Sequence, residues 1–263
     1  MSVQSLLGAV DPINLRNGTS SSGAGEPTEI DPSVHVRTQF LRRVAHDIAS
    51  PTGVTLTVLE ELATSEKARP ELVAMARRSL KRLMRLSEHL ALVAELESET
   101  LQPELSAVDL RALTKQALDD ALAVDGRKDV VAACDLPSAP LVMGGDPRLL
   151  VVVVREIIGN ALRLACSRVE VSLESENGIA TLRVDDDGPG FAEDAAATFG
   201  RRFVRRSTRG LGLSLSMAME IVRGHGGEIS TGTSMLPPGR KGIVGAAVKV
   251  RLPMHPPPSA TER

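Results

Sequence analysis

Two seven-residue series run side by side through one stretch of the chain. Leu41, Ile48, Thr55 and Leu62 form the first, and Val44, Pro51 and Val58 the second. Together they draw a single apolar stripe along a helix from about Pro32 to Leu62, with Thr55 its one polar member. A second stripe, from Leu72 through Leu80, Leu83, Leu86 and Leu90 to Val93, marks another helix over about Glu71 to Glu97, after a break near Thr64 to Pro70. Two such helices joined by a short loop make an antiparallel hairpin. A hairpin cannot enclose its own stripe, whereas pairing with a second copy gives a four-helix bundle. The spacing predicts a homodimer built on residues 33–100; the alternative is a hairpin packed on the rest of its own chain. Pro51, inside the first helix, removes a backbone hydrogen bond and is expected to kink it.

After Pro103 the pattern becomes mixed. Helices are expected over Asp109–Val124, from an Asp146 N-cap to about Ala165, and from near Gly212 to about Gly224. Strands are expected at Val130–Cys134, Leu141–Gly144, Val169–Leu173, Ala180–Val184, Glu228–Thr231 and Val244–Arg251, completing a sheet with helices on one face. The fold class is α+β: a dimeric helical hairpin followed by an α/β sandwich. The expected organisation is a flexible tail at 1–32, rich in Gly, Ser, Pro and Asn, a hairpin domain at 33–100, the α/β domain at 101–254 and a second tail at 255–263.

Composition narrows the partners. The net charge of -2 argues against nucleic acid. The longest wholly apolar run, Leu149–Val154, is far shorter than the ~20 residues a membrane helix needs, so no membrane insertion is expected. The two cysteines, Cys134 and Cys166, lack metal-like spacing and read as buried thiols in a reducing compartment, so the chain is expected to be cytoplasmic. Phe191, Phe199 and Phe203 stand in a stretch that otherwise reads as loop, and either anchor a lid or fill core.

Four short motifs follow in order: His46-Asp47-Ile48-Ala49-Ser50-Pro51, Glu156-Ile157-Ile158-Gly159-Asn160, Asp186-Asp187-Gly188-Pro189-Gly190 and Gly210-Leu211-Gly212-Leu213. His46 falls opposite the apolar stripe and should be exposed. An imidazole attacks a phosphoryl group through an unprotonated nitrogen, and Asp47 can hold the other N–H and fix the tautomer. Ser50, one turn on, can orient a water or a docked partner. Glu156 and Asn160 share a helix face; the amide oxygen suits Mg²⁺, and the carboxylate can order or deprotonate a nucleophile. Asp186 can accept from the exocyclic amine of adenine, while Gly188 and Gly190 let the backbone approach a ligand. Gly210 and Gly212 open a helix whose N–H groups suit phosphate, and Arg205 belongs to a run of five arginines able to reach a triphosphate. Each motif has a plainer reading by itself: a solvated histidine, a polar helix face, an Asp-Gly turn, a basic loop.

Residues 40–51 resemble the H box of bacterial sensor histidine kinases, and the other three motifs resemble the N, G1 and G2 boxes of the ATP-binding fold shared by those kinases, type II topoisomerases, Hsp90 and MutL. The likeness spans about residues 36–251, with Phe199 and Phe203 matching the F box. It implies a Bergerat-type ATP-binding domain and autophosphorylation of His46 with Asp47 as assisting base. It implies Asn160 on Mg²⁺, Asp186 on adenine, Gly188 and Gly190 shaping the pocket, Arg205 as the basic residue after the F box, and Gly210 and Gly212 on phosphates. The family usually has Thr or Asn where Ser50 stands and often Asn where Glu156 stands, and Thr208 or Arg209 occupies the place of a further glycine before Gly210. The function implied is an ATP-dependent protein-histidine kinase that passes phosphate to an aspartate of a response regulator in trans. With no sensor recognised in the chain, the signal is expected from an upstream partner, the N-terminal tail or residues beyond it. The alternatives are a non-enzymatic phosphotransfer module with a degenerate ATP-binding domain, and an ATPase or serine kinase of the same fold.

Overall fold

The computed structural model describes residues 32–64, 69–98, 103–191, 214–239 and 242–256. Most of the expected tails, 1–32 and 255–263, lies outside these residues, as do the hairpin turn and most of the segment between the third and fourth motifs. The chain divides into two units, Met1–His35 and Val36–Arg263.

The hairpin is formed by α1 (Pro32–Thr64) and α2 (Pro70–Glu97). Each begins on a proline, whose fixed φ suits the first helical turn. Pro51 lies within α1, and the helix continues through it. Thr55 donates its hydroxyl to the Pro51 carbonyl (2.9 Å) and Thr52 to that of Ile48 (2.7 Å). Pro51, Val58, Ala76 and Ser79 are buried in the hairpin. Beside them runs an exposed apolar face carrying Ile48, Leu56, Leu59, Leu80 and Met84, the last 65% exposed.

The α/β part begins with β1 (Ser106–Asp109), a four-residue strand that hydropathy does not mark. It pairs antiparallel with β3 (Val142–Gly145). Between them come α3 (Leu110–Asp125) and β2 (Val131–Asp135); α4 (Pro147–Leu164), β4 (Arg168–Glu176), β5 (Ile179–Asp186), α5 (Ser214–Gly224), β6 (Glu228–Thr233) and β7 (Ala246–Pro253) follow. The main sheet has the order β2-β4-β5-β7-β6, with β2 parallel to β4 and the other pairs antiparallel. Strict alternation buries Val169, Val171 and Leu173 on β4, and Ala180, Leu182 and Val184 on β5. Leu150, Val153, Ile158 and Leu162 of α4 and Ile221 and Val222 of α5 complete the core. The expected burial of the cysteines is corrected: Cys134 is exposed because β2 is a short edge strand, and Cys166 is half-buried at the α4–β4 corner.

Asp146 caps α4 as the sequence predicts. Its carboxylate accepts from the N–H groups of Arg148 (2.9 Å) and Leu149 (3.3 Å), and also from Glu104 (2.9 Å), which fastens the chain leaving the hairpin. Its own N–H donates to His225 Nε2 (3.0 Å), while His225 Nδ1 lies 2.8 Å from the Ile221 carbonyl. Nε2 therefore accepts and Nδ1 carries the proton, so a neutral imidazole locks the end of α5 to the start of α4. Burial opposes ionisation of Asp146, but the bonds from Glu104, Arg148 and Leu149 outweigh it and hold the carboxyl below its ordinary range. A depressed acid stabilises the fold above its unfolded pKa and loses that contribution as pH falls through the folded value. Asp146→Ala should cost at least about 1–2 kcal/mol at neutral pH. In urea unfolding, its gap to the wild type should narrow as pH drops below ~4.

Candidate functional site

His46 projects from α1 with its side chain 79% exposed, as its place opposite the stripe predicts. Its Nδ1 lies 3.1 Å from Asp47 Oδ1. A carboxylate only accepts, so the proton sits on Nδ1 and Nε2 of the neutral ring keeps its lone pair. Ser50 is exposed one turn further on. Measured along the helices, His46 is 18 residues from the end of α1 and His89 is 19 from the start of α2, about 27 and 28 Å at 1.5 Å per residue.

Glu156 belongs to the polar edge of α4, yet it is only 3% exposed. Its Oε1 lies 3.0 Å from His89 Nε2, an ion-pair contact whose angles fall short of a well-directed hydrogen bond. Burial would push the Glu156 carboxyl up; His89, with Arg163 and Arg85 beyond it, outweighs burial and holds it well below the carboxylate range. Asn160, one turn on, accepts at Oδ1 from Arg163 Nη2. Arg163 Nη1 also meets Asp125 Oδ1 (3.1 Å), and Asp125 Oδ2 receives Arg85 Nη1 (2.5 Å). Gly159 makes this meeting possible, because a Cβ there would stand 2.8 Å from Asp125 Oδ2.

The run Asp185-Asp186-Asp187 does three different things. Asp185 takes Arg183 through Nε (2.5 Å) and Nη2 (2.6 Å). Asp187 fastens the α4–β4 corner, accepting from the backbone N–H groups of Cys166 (2.8 Å), Ser167 (2.9 Å) and Arg168 (3.0 Å) and from the Ser167 hydroxyl (2.6 Å). Burial works against its ionisation, and those donors still hold it below the ordinary range. Asp186 is buried beneath the Gly188 N–H (2.8 Å). Burial pushes its carboxyl up to about 6, against hydrogen bonds from Gly188 and Ala246. Gly190 adopts φ +70°, and a Cβ there would stand 2.7 Å from the Val244 carbonyl oxygen, so the turn requires glycine.

The structure thus groups Glu156 with Asn160 on α4, and Asp186 with Gly188 and Gly190 at the corner just past its C-terminus. Arg205, Gly210 and Gly212 lie outside the described residues, as do Phe199 and Phe203. Sequence reasoning missed Arg85, His89, Asp125 and Arg163. Among the described residues no group of three or more His, Cys, Asp or Glu side chains could hold a metal ion, and no helix is long and apolar enough to cross a membrane.

Residues 145–256 match the family described as histidine kinase-, DNA gyrase B-, and HSP90-like ATPase. Those residues carry the α/β architecture expected of that class. Beyond this domain the likeness extends to sensor histidine kinases. The chain is 30% identical over 248 residues to the signal transduction histidine-protein kinase AfsQ2 of Streptomyces coelicolor, an alignment covering 85% of this chain and 43% of that protein. Among solved structures it is similar to a mycobacterial sensor histidine kinase, MprB, with a TM-score of 0.50 and 26% identity over 57% of this chain and 99% of that one. Full-length ShkA in complex with AMPPNP has the same fold, with a TM-score of 0.57 and 22% identity over 83% of this chain and 46% of that one. The chain spans less than half the length of AfsQ2.

The raised Asp186 carboxyl has a stability signature opposite to that of Asp146. Folding holds its proton more tightly than the unfolded chain does, so ionisation costs stability as pH rises from about 4 to 6, and the cost is full above that. A shift of this size is worth about 3 kcal/mol at most. Asp186→Asn removes that cost, so its stability relative to wild type should improve steadily between pH 4 and 7 in urea unfolding. A pH-independent difference would contradict the assignment.

Proposed function

We propose that the chain is an ATP-dependent protein-histidine kinase that phosphorylates His46 and passes the phosphoryl group to an aspartate of a response-regulator receiver. The observation that carries this reading is the His46–Asp47 pair beside a domain of the ATPase class. His46 Nε2 attacks the γ-phosphorus of ATP. The N–P bond forms as the bond to the β,γ-bridging oxygen breaks, and ADP departs with the electron pair. The ring gains positive charge as it reacts, and Asp47 at Nδ1 offsets that charge or takes the proton. Catalysis is otherwise positioning and charge neutralisation.

In this reading Asp186 accepts from the adenine amine, Gly188 and Gly190 line the ring, and Arg205, Gly210 and Gly212 take the phosphates. The oxygen of Asn160 is a hard donor, half-exposed at the end of α4, and fits Mg²⁺, which commonly takes one or two protein ligands beside phosphate oxygens. Bound there, the ion neutralises charge on the phosphates. Glu156 orders the reacting groups. The exposed apolar face of the hairpin supports a homodimer, with a second copy covering Leu56, Leu59 and Met84. We place the protein in the cytoplasm, and its signal in an upstream partner, the N-terminal tail or residues beyond it.

Incubation with γ-labelled ATP and Mg²⁺ tests the reading. Wild type should acquire acid-labile label and pass it to a receiver domain. His46→Ala should acquire none, and Asn160→Ala should lose roughly a hundredfold in rate, a scale typical of lost charge stabilisation. Equal labelling of His46→Ala would overturn the assignment.

A further inference from the structure

The junction of α2, α3 and α4 holds more buried charge than a packing contact requires. From α2 come Arg85, Glu88 and His89; from α3, Asp125 and the carbonyl of Asp120; from α4, Arg155, Glu156 and Arg163. Arg85, His89, Asp125 and Glu156 are all buried. Arg85 reaches Asp125 (2.5 Å) and the Asp120 carbonyl (3.3 Å), and Glu88 meets Arg155 (2.7 Å) nearer the surface. For a permanent joint, apolar side chains of similar volume would be cheaper than buried ions. Such a joint exists two turns further along α2, where Leu92, Val93 and Leu96 pack on the α/β core. The helix is therefore anchored by an apolar contact at one end and held by a separable polar contact above it.

The polar contact engages the two α4 residues that the kinase reading needs. While its Oε1 faces His89, Glu156 has less of its carboxylate to offer a reacting group. Arg163 takes one lone pair of the Asn160 oxygen and sets a guanidinium charge beside the place a cation would occupy. Asp125 links the two halves: Oδ2 is taken by Arg85 and Oδ1 by Arg163. When Arg85 leaves, both carboxylate oxygens become open to Arg163, and bidentate pairing draws that guanidinium off Asn160.

We propose that Arg85 and His89 are positioning residues that form a latch between the hairpin and the nucleotide site, withholding Glu156 directly and Asn160 through Asp125 and Arg163 until α2 swings away about its anchor at Leu92–Leu96. The proposal rests on the ATP-site reading and adds to it the device that couples pocket to hairpin. Nucleotide and latch compete for the same side chains, so a change in hairpin geometry alters nucleotide affinity.

The test uses the full chain and a non-hydrolysable ATP analogue. Arg85→Ala and His89→Ala should bind the analogue with Mg²⁺ roughly threefold or more tighter than wild type. The gain should shrink without Mg²⁺, because Asn160 carries much of it. Arg85→Lys, which keeps the charge, should stay near wild type. A purely structural role predicts weaker binding in both alanine variants and no Mg²⁺ dependence of the change, and that result would overturn the latch. Hydrogen exchange on wild type needs no substitution: the analogue with Mg²⁺ should accelerate exchange over residues 81–91 while residues 92–96 stay protected. Firm binding with unchanged exchange would sink the latch and leave the ATP site standing. No binding in any form would end both.

Discussion

A charged carboxylate does not stay inside a protein without a partner, and Glu156 sits at 3% exposure in the middle of α4. Its partner comes from another element, His89 of α2, so this one requirement ties the hairpin to the α/β part. Desolvation of a carboxylate is expensive, and removing one partner of such a pair typically costs several kcal/mol. Much else follows from where α4 must lie to satisfy it. One face of the helix carries Leu150, Val153 and Ile158 into the core, which leaves Glu156 and Asn160 on the edge turned toward α2. Its start is held by Asp146 and His225, and its end by Asp187.

The same helix explains how three adjacent aspartates acquire different chemistry. Asp185 points to an arginine, Asp187 to four donors at the α4–β4 corner, and Asp186 inward beneath Gly188. Alternation along β5 sends neighbours to opposite sides, and the close fit of the glycine turn against the end of α4 sets what each one meets. Burial pushes the Asp186 carboxyl up to about 6, although Gly188 and Ala246 both donate to it.

Much of this architecture was legible in the residues. The Asp146 cap announced α4 despite the strand-prone Val151–Val154, because the flanking polar positions kept helical spacing. The heptads placed His46 outward, and the sheet strands stood close to their expected positions. What stayed hidden has a physical reason. β1 is too short for its alternation to register, and its pairing with β3 is a tertiary fact. Cys134 read as core because apolar neighbours surround it, but an edge strand leaves one flank to solvent. Arg85 and His89 carry no periodic signal of burial, since a polar residue bound for a distant partner looks like one bound for water. The motif from Glu156 to Asn160 showed that its two polar side chains share a face, and the structure showed that both are already engaged.

The tie between α2 and α4 rests on the Glu156–His89 pair. A double-mutant cycle on Glu156→Gln and His89→Gln, read by urea unfolding at neutral pH, measures it most directly. A buried, partnered ion pair predicts a coupling of about 1–3 kcal/mol, with the double variant far less damaged than the sum of the two single ones. Additivity within about 0.3 kcal/mol would contradict it, and with it the claim that α2 and α4 are energetically joined.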